Sequence, residues 1–156
     1  MVEGYRLFSD EFGLLDMREA ILWPYPRPVS LKGDSIDIVK ELTGAEWVTN
    51  TLTGTPKGDI AYRRVRPSDI AEANIAQPAK LILFPVFIEG ASPRAKELPQ
   101  AEVLMKLIPR STNYHLLGEA AFAAFTKMVL GAGSEEITYS NTAPSIGTVS
   151  YKHPRA

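Results

Sequence analysis

The chain has 156 residues, of which 45% are apolar and 22% charged, and its net charge is −1. This composition is typical of one globular domain, and the small net charge argues against binding to nucleic acid or anionic lipid. The absence of cysteine excludes disulfides, thiolate metal sites and cysteine nucleophiles. The first residues show no secretory signal and no apolar run reaches about 18 residues, so we expect a cytoplasmic protein that does not enter the membrane.

Short strands and turns dominate the predicted first half. Apolar runs predict strands at Tyr5–Phe8, Phe12–Leu15 and Ala20–Trp23, then an extended proline-rich passage over 24–28 and a helix at Ile36–Leu42. Asp34 or Ser35 would cap this helix and Gly44 would end it. Turn residues over 50–59, an alternating strand over 60–65 and one or two helical turns over 67–75 follow.

The second half is predicted to be more helical. KLILFPVF, residues 80–87, is the most apolar segment and predicts a buried central strand. Two amphipathic helices, 100–108 and 113–130, are expected to pack on it, with close packing at Gly118, and residues 136–140 predict a last short strand. Because several strands precede most of the helices, the order of elements suggests either an α+β or a mixed α/β arrangement. We predict an α/β fold with a mixed sheet flanked by helices, formed as a single domain over 1–156.

Asp10 and Glu11 form an acidic pair that follows the first predicted strand. A magnesium ion needs only one or two protein carboxylates when phosphates supply its other ligands, and a second acid can accept a proton from an attacking hydroxyl. Two solvated acids in a turn are the alternative interpretation, since an acidic dipeptide is a weak motif.

The order of five segments strengthens the first interpretation. GYRLFSDEFGLLD, PYPRPVSLKGDSIDIV, TPKGDIAYRRVRP, LILFPVFIEGA and a long segment from LPQAEVLM to FTKMV together resemble the HPr-kinase-related family, the paralogues of the bacterial HPr serine kinase. The resemblance covers roughly residues 4–130. It implies the P-loop fold shared with phosphoenolpyruvate carboxykinase, with ATP and magnesium as cofactors and a serine on a protein or peptide as phosphoacceptor. It makes Asp10 and Glu11 the catalytic acids, with Asp10 next to the metal.

The sequence departs from that family at the phosphate loop. No G-x-x-x-x-G-K-[ST] segment precedes Asp10 or occurs elsewhere in the sequence. We therefore expect the C-terminal part of an HPr-kinase-like domain, inactive alone and completed by a P-loop-bearing chain. A non-catalytic remnant that binds peptides or oligomerises is the alternative. Relatives often form oligomers, so a homo-oligomer is expected.

Several basic residues are candidates for binding phosphate. Lys57 lies in the turn before a predicted strand, and Arg27 and Lys32 flank a rigid proline-containing loop, so these three are assigned to the cofactor. An ordinary surface hairpin is the alternative for Lys57. Arg63, Arg64 and Arg66 form a short basic cluster, in which strand alternation puts Arg64 and Arg66 on one face and Arg63 on the other. This cluster would be a basic stripe or, alternatively, part of a solvated edge strand. His115 and Asn113 are interpreted as ordinary helix residues, because no second histidine follows His115 at helical spacing and Asn113 suits a helix cap.

Overall fold

The computed structural model describes residues 6–140, which form a mixed α/β fold, as the sequence predicts. The strands are β1 Leu14–Leu15, β2 Ile21–Trp23, β3 Val29–Lys32, β4 Leu52–Thr55, β5 Gly58–Arg63, β6 Gln77–Pro78, β7 Leu81–Phe87, β8 Arg94–Glu97 and β9 Gly133–Tyr139. The helices are α1 Ser35–Thr43, α2 Pro67–Ala71, α3 Gln100–Leu107, α4 Tyr114–Leu117 and α5 Glu119–Leu130, with 3₁₀ turns at Ala45–Trp47 and Ile108–Arg110.

The described residues divide into two compact units, one made of residues 6–15 with 22–77 and the other of 16–21 with 78–140. The first unit contains an antiparallel sheet in the order β3-β5-β4. Its core consists of Leu31, Ile36, Val48 and Ala61, so one face of this sheet packs on α1. β1 and β2 form a separate antiparallel pair, which β6 extends to a third strand.

The second unit contains a sheet in the order β7-β9-β8, in which β9 runs parallel to β7 and antiparallel to β8. Phe84, Leu98, Val103 and Val129 form its core, so α3 and α5 pack on this sheet as expected. Lys106 of α3 pairs with Glu136 of β9 at 3.0 Å, and this hydrogen bond raises the pKa of Lys106 against the opposing effect of desolvation.

The prediction that 80–87 forms the central strand is wrong. In the described part of the chain β7 pairs on one side only, and within it Phe84 is buried whereas Leu83 and Phe87 are exposed. Pro85 has no N–H to donate, which suits an edge strand. β9 is central instead, and it is longer than the predicted strand over 136–140 because it begins at Gly133.

Several other predictions about the fold need correction. The helix expected over 113–130 is broken at Gly118, which has φ 52° and ψ −122°. The prediction of close packing at Gly118 is also wrong, because no atom lies within 4 Å of the position that a Cβ would occupy. The turn over 50–59 contains β4, and β5 is a central strand, not an edge. Of the first two predicted strands only Leu14–Leu15 forms, residues 6–9 being irregular and Tyr5 lying outside the described residues.

Candidate functional site

All five residues proposed for the site line one cavity of about 390 Å³ in the first unit. They are the acids Asp10 and Glu11 and the cations Arg27, Lys32 and Lys57. The cavity is completed by Pro28, Ser30, Ile60 and Tyr62. Asp10 and Lys57 are 47 positions apart in the sequence, yet the five proposed residues line the same cavity. Their chemical roles stay predictions.

The floor of the cavity is one face of the β3-β5 strand pair. Ser30 lies opposite Tyr62 and Lys32 lies opposite Ile60 in the antiparallel register. Because side chains alternate along a strand, these four residues share a face, and Leu31 and Ala61 point to the opposite face and into the core. The buried pair thus fixes which side chains of β3 and β5 face the cavity.

The acidic pair lies in a bend that is tied to the edge of β3. The Phe12 N–H donates to Ser9 Oγ at 3.1 Å, which closes the bend around Asp10 and Glu11. The Ser30 N–H donates to Asp10 Oδ2 at 3.2 Å, so the carboxylate is attached to the strand. Both acids are exposed to solvent. Asp10 therefore has a structural contact, and it also faces the cavity.

Lys57 is placed by the tight turn between β4 and β5. Thr55 Oγ1 donates to the Gly58 carbonyl at 2.6 Å and accepts the Lys57 N–H at 3.2 Å. Gly58 has φ +79°, a conformation that a residue with a Cβ adopts only with strain. The turn directs the chain so that Lys57 borders the same cavity as Lys32.

Arg27 precedes β3, and its guanidinium lies 5.7 Å from the centre of the Tyr25 ring. With Lys32 and Lys57 it gives the cavity three positive side chains against two carboxylates. A cavity with both signs of charge and one surplus positive charge suits an anionic ligand, and its carboxylates can bind a divalent cation at the same time.

The two carboxylates suit a magnesium ion only if a bound ligand supplies further oxygen atoms to the metal. No group of three or more acidic, histidine or cysteine side chains that could hold a metal occurs among residues 6–140. Magnesium keeps waters and is commonly bound by one or two carboxylates together with substrate phosphates. Asp10 and Glu11 match that requirement, and the three cations would face the phosphates.

The remaining candidates lie away from the cavity lining. Arg63 is buried, and its Nη1 donates to the Arg64 carbonyl at 3.0 Å. Arg66 pairs with the buried carboxylate of Asp69 at 3.2 Å. Arg64 and Arg66 lie beyond the end of β5, so strand alternation does not place them in a stripe with Tyr62. Asn113 precedes α4 but makes no side-chain cap hydrogen bond.

Ser30 and Tyr62 were missed as cavity residues. The alternation along IAYRRV places Tyr62 on the face opposite Ala61, and this signal was available in the sequence. What the sequence does not contain is the register between β3 and β5, which puts Ser30 beside Tyr62. Without that register, neither residue could be connected with Asp10.

No family model, curated protein or solved structure matches the chain. The resemblance to the HPr-kinase-related family therefore stays a prediction that rests on five segments in order. No helix in the described part of the chain is long and apolar enough to cross a membrane.

Proposed function

We propose that this protein is a component of an ATP-dependent serine kinase of the HPr-kinase-related type, completed by a P-loop supplied from another segment or chain. The observation that carries the proposal is the single cavity lined by Asp10, Glu11, Arg27, Lys32 and Lys57. Two carboxylates beside three cations are the chemistry that a magnesium–phosphate ligand requires.

In this kinase one acid would accept a proton, and both acids would take part in binding the metal. Asp10 is the better-positioned group, because the Ser30 N–H holds one of its oxygens at 3.2 Å. As the acceptor oxygen bonds to the γ-phosphorus and the bond to the leaving ADP breaks, the Asp10 carboxylate accepts the serine hydroxyl proton. Asp10 would also hold magnesium, together with Glu11, and the bound ion would neutralise charge on the phosphates.

The positive side chains would stabilise the phosphates electrostatically. Arg27 lines the same cavity as the acids, where a guanidinium can offset charge on the transferred group. The sequence lacks G-x-x-x-x-G-K-[ST], which in P-loop enzymes supplies backbone donors and a lysine to the phosphates. The proposal therefore includes a P-loop partner, a protein or peptide serine as acceptor, a homo-oligomeric assembly and a cytoplasmic location.

Reconstitution with a P-loop segment tests the proposal. The 156-residue chain is mixed with the P-loop half of an HPr-kinase-related protein, and transfer of labelled phosphate from ATP to serine peptides is measured. We expect transfer only when both parts are present. The same segment with its loop lysine replaced by methionine is the matched control and should be inactive.

Metal binding gives a second readout that does not need a partner. With pyrophosphate present, Mn²⁺ should broaden the amide NMR signals of residues around Asp10, and the Asp10→Asn variant should lose this effect. The absence of both phosphate transfer and metal-dependent broadening would favour the non-catalytic remnant and contradict the proposal.

A further inference from the structure

The acidic pair and the two lysines are placed at different points along β3, and the third cation, Arg27, precedes the strand on the side of Ser30. Asp10, attached at Ser30, and the adjacent Glu11 make up the acidic end. Lys32 lies two residues further along β3, and Lys57 lies in the turn that leads into β5. These two lysines make up the lysine end. Because both ends border the same cavity, one ligand can contact them together.

The spacing of Ser30, which holds Asp10, and Lys32 along β3 matches the repeat of an extended peptide. Ser30 and Lys32 point to the same face of β3, and two residues of a strand span about 7 Å. In an extended peptide, side chains i and i+2 also share a face and are about 7 Å apart. A peptide lying along β3 would place one side chain at Asp10 and the next side chain of the same face at Lys32.

The outer edge of β3 is closed to a peptide that would add as a further strand. The Ser30 N–H is bonded to Asp10 Oδ2, and the Lys32 N–H is bonded to Ser35 Oγ at 2.9 Å. Strand addition requires unpaired backbone groups at the edge. A peptide at this site therefore lies over the face of the sheet, where its side chains determine recognition.

We infer that the cavity binds an extended acceptor peptide in which a serine and an acidic residue are two positions apart. The serine hydroxyl lies at Asp10, and the acidic side chain lies at Lys32 and Lys57. This inference rests on the proposed function, because it uses Asp10 as the proton acceptor. It revises one part of the proposed function: the lysine end binds the phosphoacceptor, and of the three cations only Arg27 is left to face the nucleotide phosphates.

Peptide binding to the complete 156-residue chain tests the inference without any kinase partner. The probes are blocked pentapeptides with the sequence Gly-Ser-Gly-Glu-Gly, its glutamine analogue, and Gly-Ser-Glu-Gly-Gly, in which the acid is adjacent to the serine. Affinities are measured by NMR titration. We expect the first peptide to bind about five- to tenfold more tightly than either analogue, the effect of one charge-assisted hydrogen bond.

Lysine variants then show which side chains cause the preference for the glutamate peptide. Lys32→Met and Lys57→Met should each reduce the preference for glutamate, and both side chains are exposed, so the substitutions leave the core intact. Lys96→Met is the matched control, an exposed lysine on β8 of the other unit, and should keep the full preference. Raising the salt concentration should weaken binding of the glutamate peptide more than that of the glutamine peptide.

Three results would overturn the inference. They are equal affinity for the glutamate and glutamine peptides, a preference that survives both lysine substitutions, and tighter binding of glycerol phosphate than of any peptide. The last result would assign the lysine end to a small phosphorylated compound. If one of these results is obtained and Mn²⁺ still broadens the signals around Asp10 in the presence of pyrophosphate, only the inference is contradicted, and the proposed kinase function is not.

Discussion

The carboxylate of Asp10 accepts the Ser30 N–H and also faces a cavity that three cations border. The effects of this hydrogen bond and of the negative charge can be distinguished with a variant, because an asparagine keeps an acceptor oxygen but carries no charge. A variant that lost both the hydrogen bond and the charge could lose activity only because the edge of β3 is displaced.

Asp10→Asn should abolish phosphate transfer in the reconstituted kinase and leave the fold intact. Loss of a proton-accepting or metal-positioning group typically costs about 10²-fold or more in rate. The measurements are the transfer rate and the thermal midpoint of unfolding. Asp10→Ala serves as the comparison, since it also removes the Ser30 acceptor and should cost about 1 kcal/mol of stability. Near-normal turnover in Asp10→Asn would return the acidic pair to the solvated-turn interpretation.

Ser134 offers a prediction about a single hydroxyl. Its side chain is buried in β9, and its Oγ has no hydrogen-bond partner among the described residues. Burying an unsatisfied hydroxyl is unfavourable, so Ser134→Ala should raise the free energy of unfolding by about 1 kcal/mol. Ser140→Ala is the control, because Ser140 Oγ donates to the Ala91 carbonyl at 2.8 Å and its loss should destabilise. Urea unfolding of the two variants measures both effects, and a destabilised Ser134→Ala would contradict the prediction.

At the scale of elements, the sequence predicts best where one periodic signal dominates. The helix expected at Ile36–Leu42 forms as Ser35–Thr43 and ends at Gly44, and the helix over 100–108 forms as Gln100–Leu107. β9 was only partly predicted, because its first half, GSEE, has no apolar alternation and Glu135 is nevertheless buried there. The position of β7 at an edge depends on strand order, which no local pattern contains.

The break between α4 and α5 depends on the conformation of Gly118. With φ 52° and ψ −122°, this residue is in a region that side chains with a Cβ rarely adopt, although the space around it is open. Gly118→Ala should therefore destabilise by about 1–3 kcal/mol through backbone strain alone. Gly131→Ala is the matched control at the end of α5, where φ is −92° and a Cβ would meet only ordinary contacts. Calorimetric unfolding that is equal for the two variants would show that Gly118 carries no strain.

At the scale of the molecule, the candidate site belongs to one of two compact units. Every lining residue of the cavity lies in the unit made of 6–15 and 22–77. The sequence singled out five residues that line this cavity, but their assembly depends on the pairing of β3 with β5 and on the hydrogen bond between Asp10 and Ser30. Both are contacts between distant positions, so sequence patterns alone could not predict them.

The isolated chain should bind Mg-ATP only weakly. The cavity offers exposed charged side chains, but the sequence has no P-loop motif to provide a ring of backbone N–H donors, and surface charges are screened by solvent and salt. We expect a dissociation constant in the millimolar range or weaker, about −4 kcal/mol at best. No serine kinase activity should be detectable without a second component.

Isothermal titration of the purified 156-residue chain with Mg-ATP measures this directly. The Lys57→Met variant is the informative comparison, because the turn that holds Lys57 is the cavity element most similar in composition to a phosphate loop. If binding is millimolar in both proteins, the P-loop must come from elsewhere, as proposed. Micromolar binding that is lost in Lys57→Met would show that the turn itself holds the phosphates, and the requirement for a complementing P-loop would then be wrong.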